Sequence, residues 1–177
     1  MRNDIERILI SEEELQEKVS EMGRKISRDF KDKDPIFVGV LKGCFIFMAD
    51  LMRYVDISCS MDFMAVSSYS GTSSTGAVKI NKDLGEDIEG RHLIIVEDIL
   101  DSGVTLSYLK QYLMVRKPAS ITIATLMDKP ARRKADIYAD YSCFEIPDAF
   151  VVGYGLDYNE RYRNLPYIGV LKPEIYS

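Results

Sequence analysis

Leu15, Val19, Met22, Ile26 and Phe30 recur at three- and four-residue steps. That is the period of one buried helical face, and Ser11 followed by Glu14 is a capping-box pattern, so residues 11 to 30 are predicted to form an amphipathic helix. After Asp34-Pro35 the pattern becomes an unbroken apolar run, IFVGVL at 36 to 41, which suits a strand covered on both faces. Lys42-Gly43 breaks it, and CFIFMADLMRYV from Cys44 reads as a second helix. Residues 57 to 66 alternate Ile57, Cys59, Met61, Phe63 and Ala65 with more polar partners, as a half-buried strand does. The stretch SSYSGTSSTG, 67 to 76, joins it to a return strand in GAVKINKD. HLIIVED, SITIATLMDK and DAFVVGYGL read as further strands, with a helix in VTLSYLKQYLMV.

Strand and helix therefore alternate, which predicts an α/β fold with a mostly parallel sheet and right-handed crossovers. In such sheets ligands bind at the carboxyl ends of strands, where Lys42, Glu97, Lys129 and the stretch Tyr154 to Asp157 are expected. Composition narrows the class. At 177 residues, 46% apolar and 29% charged, the chain is expected to be a single domain over 1–177 with one substantial core. A balance of 23 basic against 28 acidic residues, net -5, speaks against a non-specific nucleic-acid binder. The charged start MRNDIERILI has no cleavable apolar core and no run is long enough to span a membrane, so a cytoplasmic protein is expected. Cys44, Cys59 and Cys143 are too scattered for a disulfide framework or thiolate metal site, and the lone His92, at a strand start, reads as structural.

Chemistry concentrates in IVEDILDSGV, 95 to 104, where Glu97, Asp98 and Asp101 end an apolar run and Ser102-Gly103-Val104-Thr105 follows at once. Consecutive backbone N–H groups, two hydroxyls and a glycine at a helix start are suited to holding a phosphate. The spacing is neither that of a Walker A loop nor G-x-G-x-x-G. Each residue alone also fits an ordinary helix start capped by Ser102. Lys129 with Pro130, Arg132, Arg133 and Lys134 reads by itself as a solvated basic turn, and Phe150 in AFVVG reads as core.

Taken together, the apolar run, the paired acids and the D-S-G-x-T turn resemble the phosphoribosyl diphosphate (PRPP) signature of type I phosphoribosyltransferases. LKGCFIFMADL (41–51), SSYSG (67–71), LMDKPARRK (126–134) and PDAFVVGYGLDYNERYRNLPYIGVL (147–171) extend the resemblance, over nearly the whole chain, to the hypoxanthine-guanine phosphoribosyltransferase family. It implies the type I fold: a central mostly parallel sheet flanked by helices, a small hood and a flexible hairpin loop. It also implies Mg²⁺-dependent transfer of the phosphoribosyl group from PRPP to N9 of hypoxanthine or guanine, giving IMP or GMP and pyrophosphate, in purine salvage by a homodimer or homotetramer.

The resemblance further implies roles for single residues. Residues Asp101, Ser102, Gly103, Val104 and Thr105 would wrap the 5′-phosphate, and Glu97 and Asp98 would face the ribose hydroxyls and Mg²⁺. Leu41, Lys42 and Gly43 would form the pyrophosphate loop, often with a cis peptide between the first two, and Arg163 would clamp pyrophosphate. Lys129 would donate to the 6-oxo group of the base, Phe150 would stack on the purine, and the Val151 carbonyl would accept from the guanine 2-amino group. Asp157 would serve a second Mg²⁺ site beside the base, Ser68 and Tyr69 would close as a lid, and Asp101 would accept the purine proton. The sequence departs from the family pattern at Asp128, beside Lys129, whose charge would weaken or orient that lysine. Xanthine-guanine and pyrimidine enzymes are alternatives within the fold. A PRPP-binding regulator is an alternative outside catalysis, which the net charge of -5 and the retained Asp101 disfavour.

Overall fold

The computed structural model describes residues 1–68 and 78–177. The helix α1, Glu12–Asp29, begins at the predicted cap: the Ser11 hydroxyl accepts from the Glu14 N–H at 3.2 Å, and the Glu14 carboxylate accepts from the Ser11 N–H at 2.8 Å. Those reciprocal bonds satisfy two of the donors a helix start leaves open. The residues predicted for its buried face, Leu15, Val19, Met22, Ile26 and Phe30, are all buried.

Six strands form the main sheet: β2 (Ile36–Leu41), β3 (Ser60–Ser68), β4 (Val78–Lys82), β5 (His92–Leu100), β6 (Ser120–Asp128) and β7 (Tyr141–Glu145). Their order is β4-β3-β2-β5-β6-β7, with every pair parallel except β3 with β4. Alternate residues of the central strands enter different cores. Val38, Leu93 and Ile95 pack with Leu106, Leu109 and Leu113 of α3 (Val104–Met114). Phe37, Ile94 and Val96 pack on the other face with α1 and with Phe47 and Leu51 of α2 (Phe45–Met52). Burial on both faces is why these strands read as continuous apolar runs.

The structure departs from the sequence reading in particular elements. β3 starts three residues later than predicted. β5 continues past Glu97 and Asp98 to Leu100, two residues beyond the predicted end, so the paired acids sit within the strand and not at its end. The stretch read as a further main-sheet strand yields only β8, Val151–Val152, in a separate antiparallel sheet of order β1-β9-β8 with β1 (Ile5–Ile10) and β9 (Ile168–Leu171). Glycines 153 and 155, at φ +102° and +104°, turn the chain away after two strand residues. None of β1, β7 and β9 shows enough periodicity to stand out in sequence. A last turn, α4 (Pro173–Tyr176), packs Ile175 onto this hood. His92 is structural, its Nδ1 2.7 Å from the Ser120 hydroxyl, and the three cysteines are unpaired. Among the described residues no helix is long and apolar enough to cross a membrane.

Replacing Ser11 by Ala should lower stability by about 1 kcal/mol in urea denaturation without changing ligand binding, because the cap bonds join only Ser11 and Glu14.

Candidate active site

The strand order reverses between β2 and β5, and a crevice opens outside the carboxyl ends at such a point. Three distant segments meet there in close contact. A Cβ on Gly43 would fall 1.8 Å from a carboxylate oxygen of Asp98, and one on Gly155 would fall 2.2 Å from the Gly43 carbonyl oxygen. Only glycine fits at either position. The Leu41–Lys42 peptide is cis, as the resemblance implied.

Glu97 and Asp98 lie partly exposed on the crevice floor. Burial raises both carboxyls above the usual carboxylate range, and for Glu97 the neighbouring Asp98 charge adds to the effect. Such a pair favours a bound cation. Among the described residues no group of three or more His, Cys, Asp or Glu side chains gathers to hold one. Two carboxylates, completed by water and substrate oxygens, are the kind of coordination Mg²⁺ accepts.

Beyond β5 the turn 101–105 is held from one side. The Arg133 guanidinium donates to the carbonyls of Asp101 at 3.1 Å and Ile137 at 2.6 Å and pairs with the Asp128 carboxylate. The N–H groups of Lys134 and Ala135 donate to the Ser102 carbonyl at 2.8 and 3.1 Å. In a trans peptide the N–H points opposite to the carbonyl, so the N–H groups of Ser102 and Gly103 face away from that support. Gly103, at φ +78°, is the N-cap of α3, and no side chain caps this helix. Ser102 is therefore not the N-cap expected of it; its hydroxyl accepts only from the Val104 N–H, at 3.4 Å, and the other N–H groups of the helix start have no side-chain cap and are open to an anion.

Next to this turn is a cavity of about 410 Å³ lined by residues that include Ile99, Asp101, Lys129, Phe150, Leu156 and Tyr176. Lys129 is buried, at 6% exposure, and its Nζ donates to the Ala149 carbonyl at 2.7 Å. The solvated basic turn is thus wrong for Lys129, whose ammonium is drawn inward by that acceptor. Phe150 is 38% exposed and stacks on Tyr176, ring centroids 4.6 Å apart, so it is a pocket wall and not core. Asp128 neither weakens nor orients Lys129, because its carboxylate is taken by Arg133. Arg132 spans the mouth, its Nε 3.0 Å from Asp101 and its Nη1 3.3 Å from Asp148. The Asp101 contact is off the line a hydrogen bond needs, and Asp101 Oδ1 has no hydrogen-bond partner among the described residues.

Across the crevice Lys42 lies 2.9 Å from Glu160, and Arg163 lies 3.0 Å from Asp157. Arg163 also donates to the Gly155 carbonyl at 2.7 Å, so its fork is engaged internally. Tyr154 to Asp157 enter from the hood and not from the main sheet. Ser68 ends β3 at the rim of the hairpin, and Tyr69 lies outside the described residues.

A family model described as a phosphoribosyl transferase domain matches residues 9–159. The chain belongs to this family. It is 60% identical to a hypoxanthine-guanine phosphoribosyltransferase of Bacillus subtilis over all of this chain and 99% of that one. A crystal structure of a hypoxanthine phosphoribosyltransferase from Staphylococcus aureus superposes with a TM-score of 0.96 at 53% identity, covering 100% of this chain and 97% of the other. A Trypanosoma cruzi hypoxanthine phosphoribosyltransferase, a mutant in a ternary substrates complex, gives 0.93 at 41% identity over 99% and 100% of the two chains. The type I phosphoribosyltransferase fold is thereby established.

The crevice unites the expected residues of β2, β5, the phosphate turn, Lys129 and the hood. The sequence reading missed Arg132, Asp148, Glu160 and Tyr176. Arg132 and Glu160 fell within quoted motifs, whereas Tyr176 carried no local signal.

Replacing Arg133 by Met should cost roughly 3 kcal/mol in urea denaturation and weaken PRPP binding, since it strands the Asp128 charge and frees the turn. Adding Asp128→Asn should recover part of the stability and none of the binding.

Proposed function

We propose that this phosphoribosyltransferase acts in purine salvage, moving the phosphoribosyl group from PRPP to N9 of hypoxanthine or guanine. The observation that carries this reading is the pairing of a buried Lys129 with a part-exposed Phe150 ring in one cavity bordered by Asp101. A purine stacked on Phe150 would place its 6-oxo group toward the ammonium. Adenine would bring an amino donor against that donor and leave buried polar groups unpaired, which disfavours it strongly. The Val151 carbonyl, on the same wall, suits the 2-amino group of guanine and opposes the 2-oxo group of xanthine.

The turn 101–105 would receive the 5′-phosphate through its outward N–H groups and hydroxyls, fixing the ribose above Glu97 and Asp98. N9 then attacks C1, the C1–O bond breaks, and diphosphate leaves with the bonding pair. Lys42 and Arg163 would neutralise that leaving group. The proton on N7 passes to Asp101 once Arg132, now 3.0 Å from its buried Oδ1, gives way to the purine. Glu97 and Asp98, and Asp157 once released from Arg163, are the residues that would hold Mg²⁺. When bound, the ion would offset the charge growing on the diphosphate. Ser68 and Tyr69 would close over the reacting centre and exclude water.

With PRPP and Mg²⁺, hypoxanthine and guanine should release diphosphate, while adenine, uracil and xanthine release little; comparable release with xanthine would overturn the Val151 assignment. Asp101→Asn should lower kcat ~10²- to 10⁴-fold with KM for the base nearly unchanged, and an unaltered kcat would remove Asp101 from the proton transfer.

A further inference from the structure

Glu160 sits between the two cations to which diphosphate was assigned above. One carboxylate oxygen lies 2.9 Å from Nζ of Lys42 and the other 3.4 Å from an Nη of Arg163. The backbone that aims it is fixed by Asp157: one Asp157 oxygen accepts from the Glu160 N–H at 2.8 Å while the other contacts Arg163 at 3.0 Å. Asn159 and Glu160 both take positive φ, +50° and +61°, so the loop folds back sharply to present this side chain. The Lys42 ammonium holds the Glu160 carboxyl below the usual carboxylate range, which keeps it ionised. Arg163 Nε, meanwhile, is buried without a hydrogen-bond partner among the described residues. The arginine is thus committed to acids at one end of its fork and keeps one buried donor unpaired.

A carboxylate that bridges two cations through its two oxygens repeats the contacts two oxygens of a phosphate would make. We propose that Glu160 is a positioning residue that stands in for diphosphate: it holds Lys42 and Arg163 when the site is empty and competes with diphosphate for them, which speeds product release. The inference rests on the diphosphate role given to Lys42 and Arg163. In the empty site Glu160 keeps two flexible cationic side chains ordered. In the filled site it must yield, and its return displaces the product. Lys42 and Glu160 side chains are 66% and 64% exposed, so their pairing is weak and the competition modest.

The test is titration of the Mg²⁺ salt of diphosphate into the purified protein by calorimetry, together with KM for PRPP and for hypoxanthine, in the parent, Glu160→Gln and Lys42→Met. Glu160→Gln keeps size and shape at an exposed position. It should bind diphosphate about two- to fivefold tighter and lower KM for PRPP, leaving KM for hypoxanthine unchanged. A purely structural role would loosen diphosphate or leave it alone, so an unchanged or weaker affinity in Glu160→Gln sinks the inference. Lys42→Met separates the two levels. If it weakens diphosphate while Glu160→Gln has no effect, only the stand-in role fails; if it has no effect, the assignment of the cations fails and takes the stand-in role with it.

Discussion

The guanidinium of Arg133 gathers the Leu100 carbonyl at the end of β5, the Asp101 carbonyl in the phosphate turn, the Asp128 carboxylate at the end of β6 and the Ile137 carbonyl. A planar fork with five donors is the side chain able to satisfy so many acceptors at once. The turn is thereby held by its carbonyls, and its N–H groups are left for a ligand. Gly103 tightens the same support, since a Cβ there would lie 2.5 Å from Ile137. The residues proposed to receive a phosphate therefore depend on a residue outside the turn.

A second theme is charge held in internal pairs. Lys42 with Glu160, Arg163 with Asp157 and Arg132 with Asp101 and Asp148 all lie around the crevice. The exposed ones, Lys42 with Glu160 and Arg132 with Asp101 and Asp148, contribute little to stability, so exchanging them for substrate oxygens costs little. Glu97 and Asp98 are the exception: adjacent like charges under partial burial have no ion-pair partner among the described residues and gain most from a cation.

Sequence made the local features legible. Ser11 with Glu14 announced the start of α1, IFVGVL announced β2, and the D-S-G-x-T turn announced a phosphate loop, because each is a short-range pattern with a direct physical cause. What stayed hidden depends on contacts between distant segments. Lys129 looked solvated because its partner, the Ala149 carbonyl, is 20 residues away and is a backbone atom without a sequence signature. Phe150 looked like core because nothing in AFVVG says that the chain turns away after Val152. The motif resemblance placed both at the site, where the local pattern pointed the other way, and both line the same cavity.

The hood closes through β1 and β9, where Ile5 is opposite Leu171. Joining those ends across an unstructured chain of that length would cost roughly 4.5 kcal/mol in loop closure. The six main strands fall between Ile36 and Glu145, so the sheet can assemble first and bring the ends together. On the ribosome, where chains grow from the amino end, the strand that completes the hood is made after all six of these. Biosynthesis thus builds the phosphate grip before the base pocket, and the wall carrying Phe150 and Val151 is the last to be locked in place.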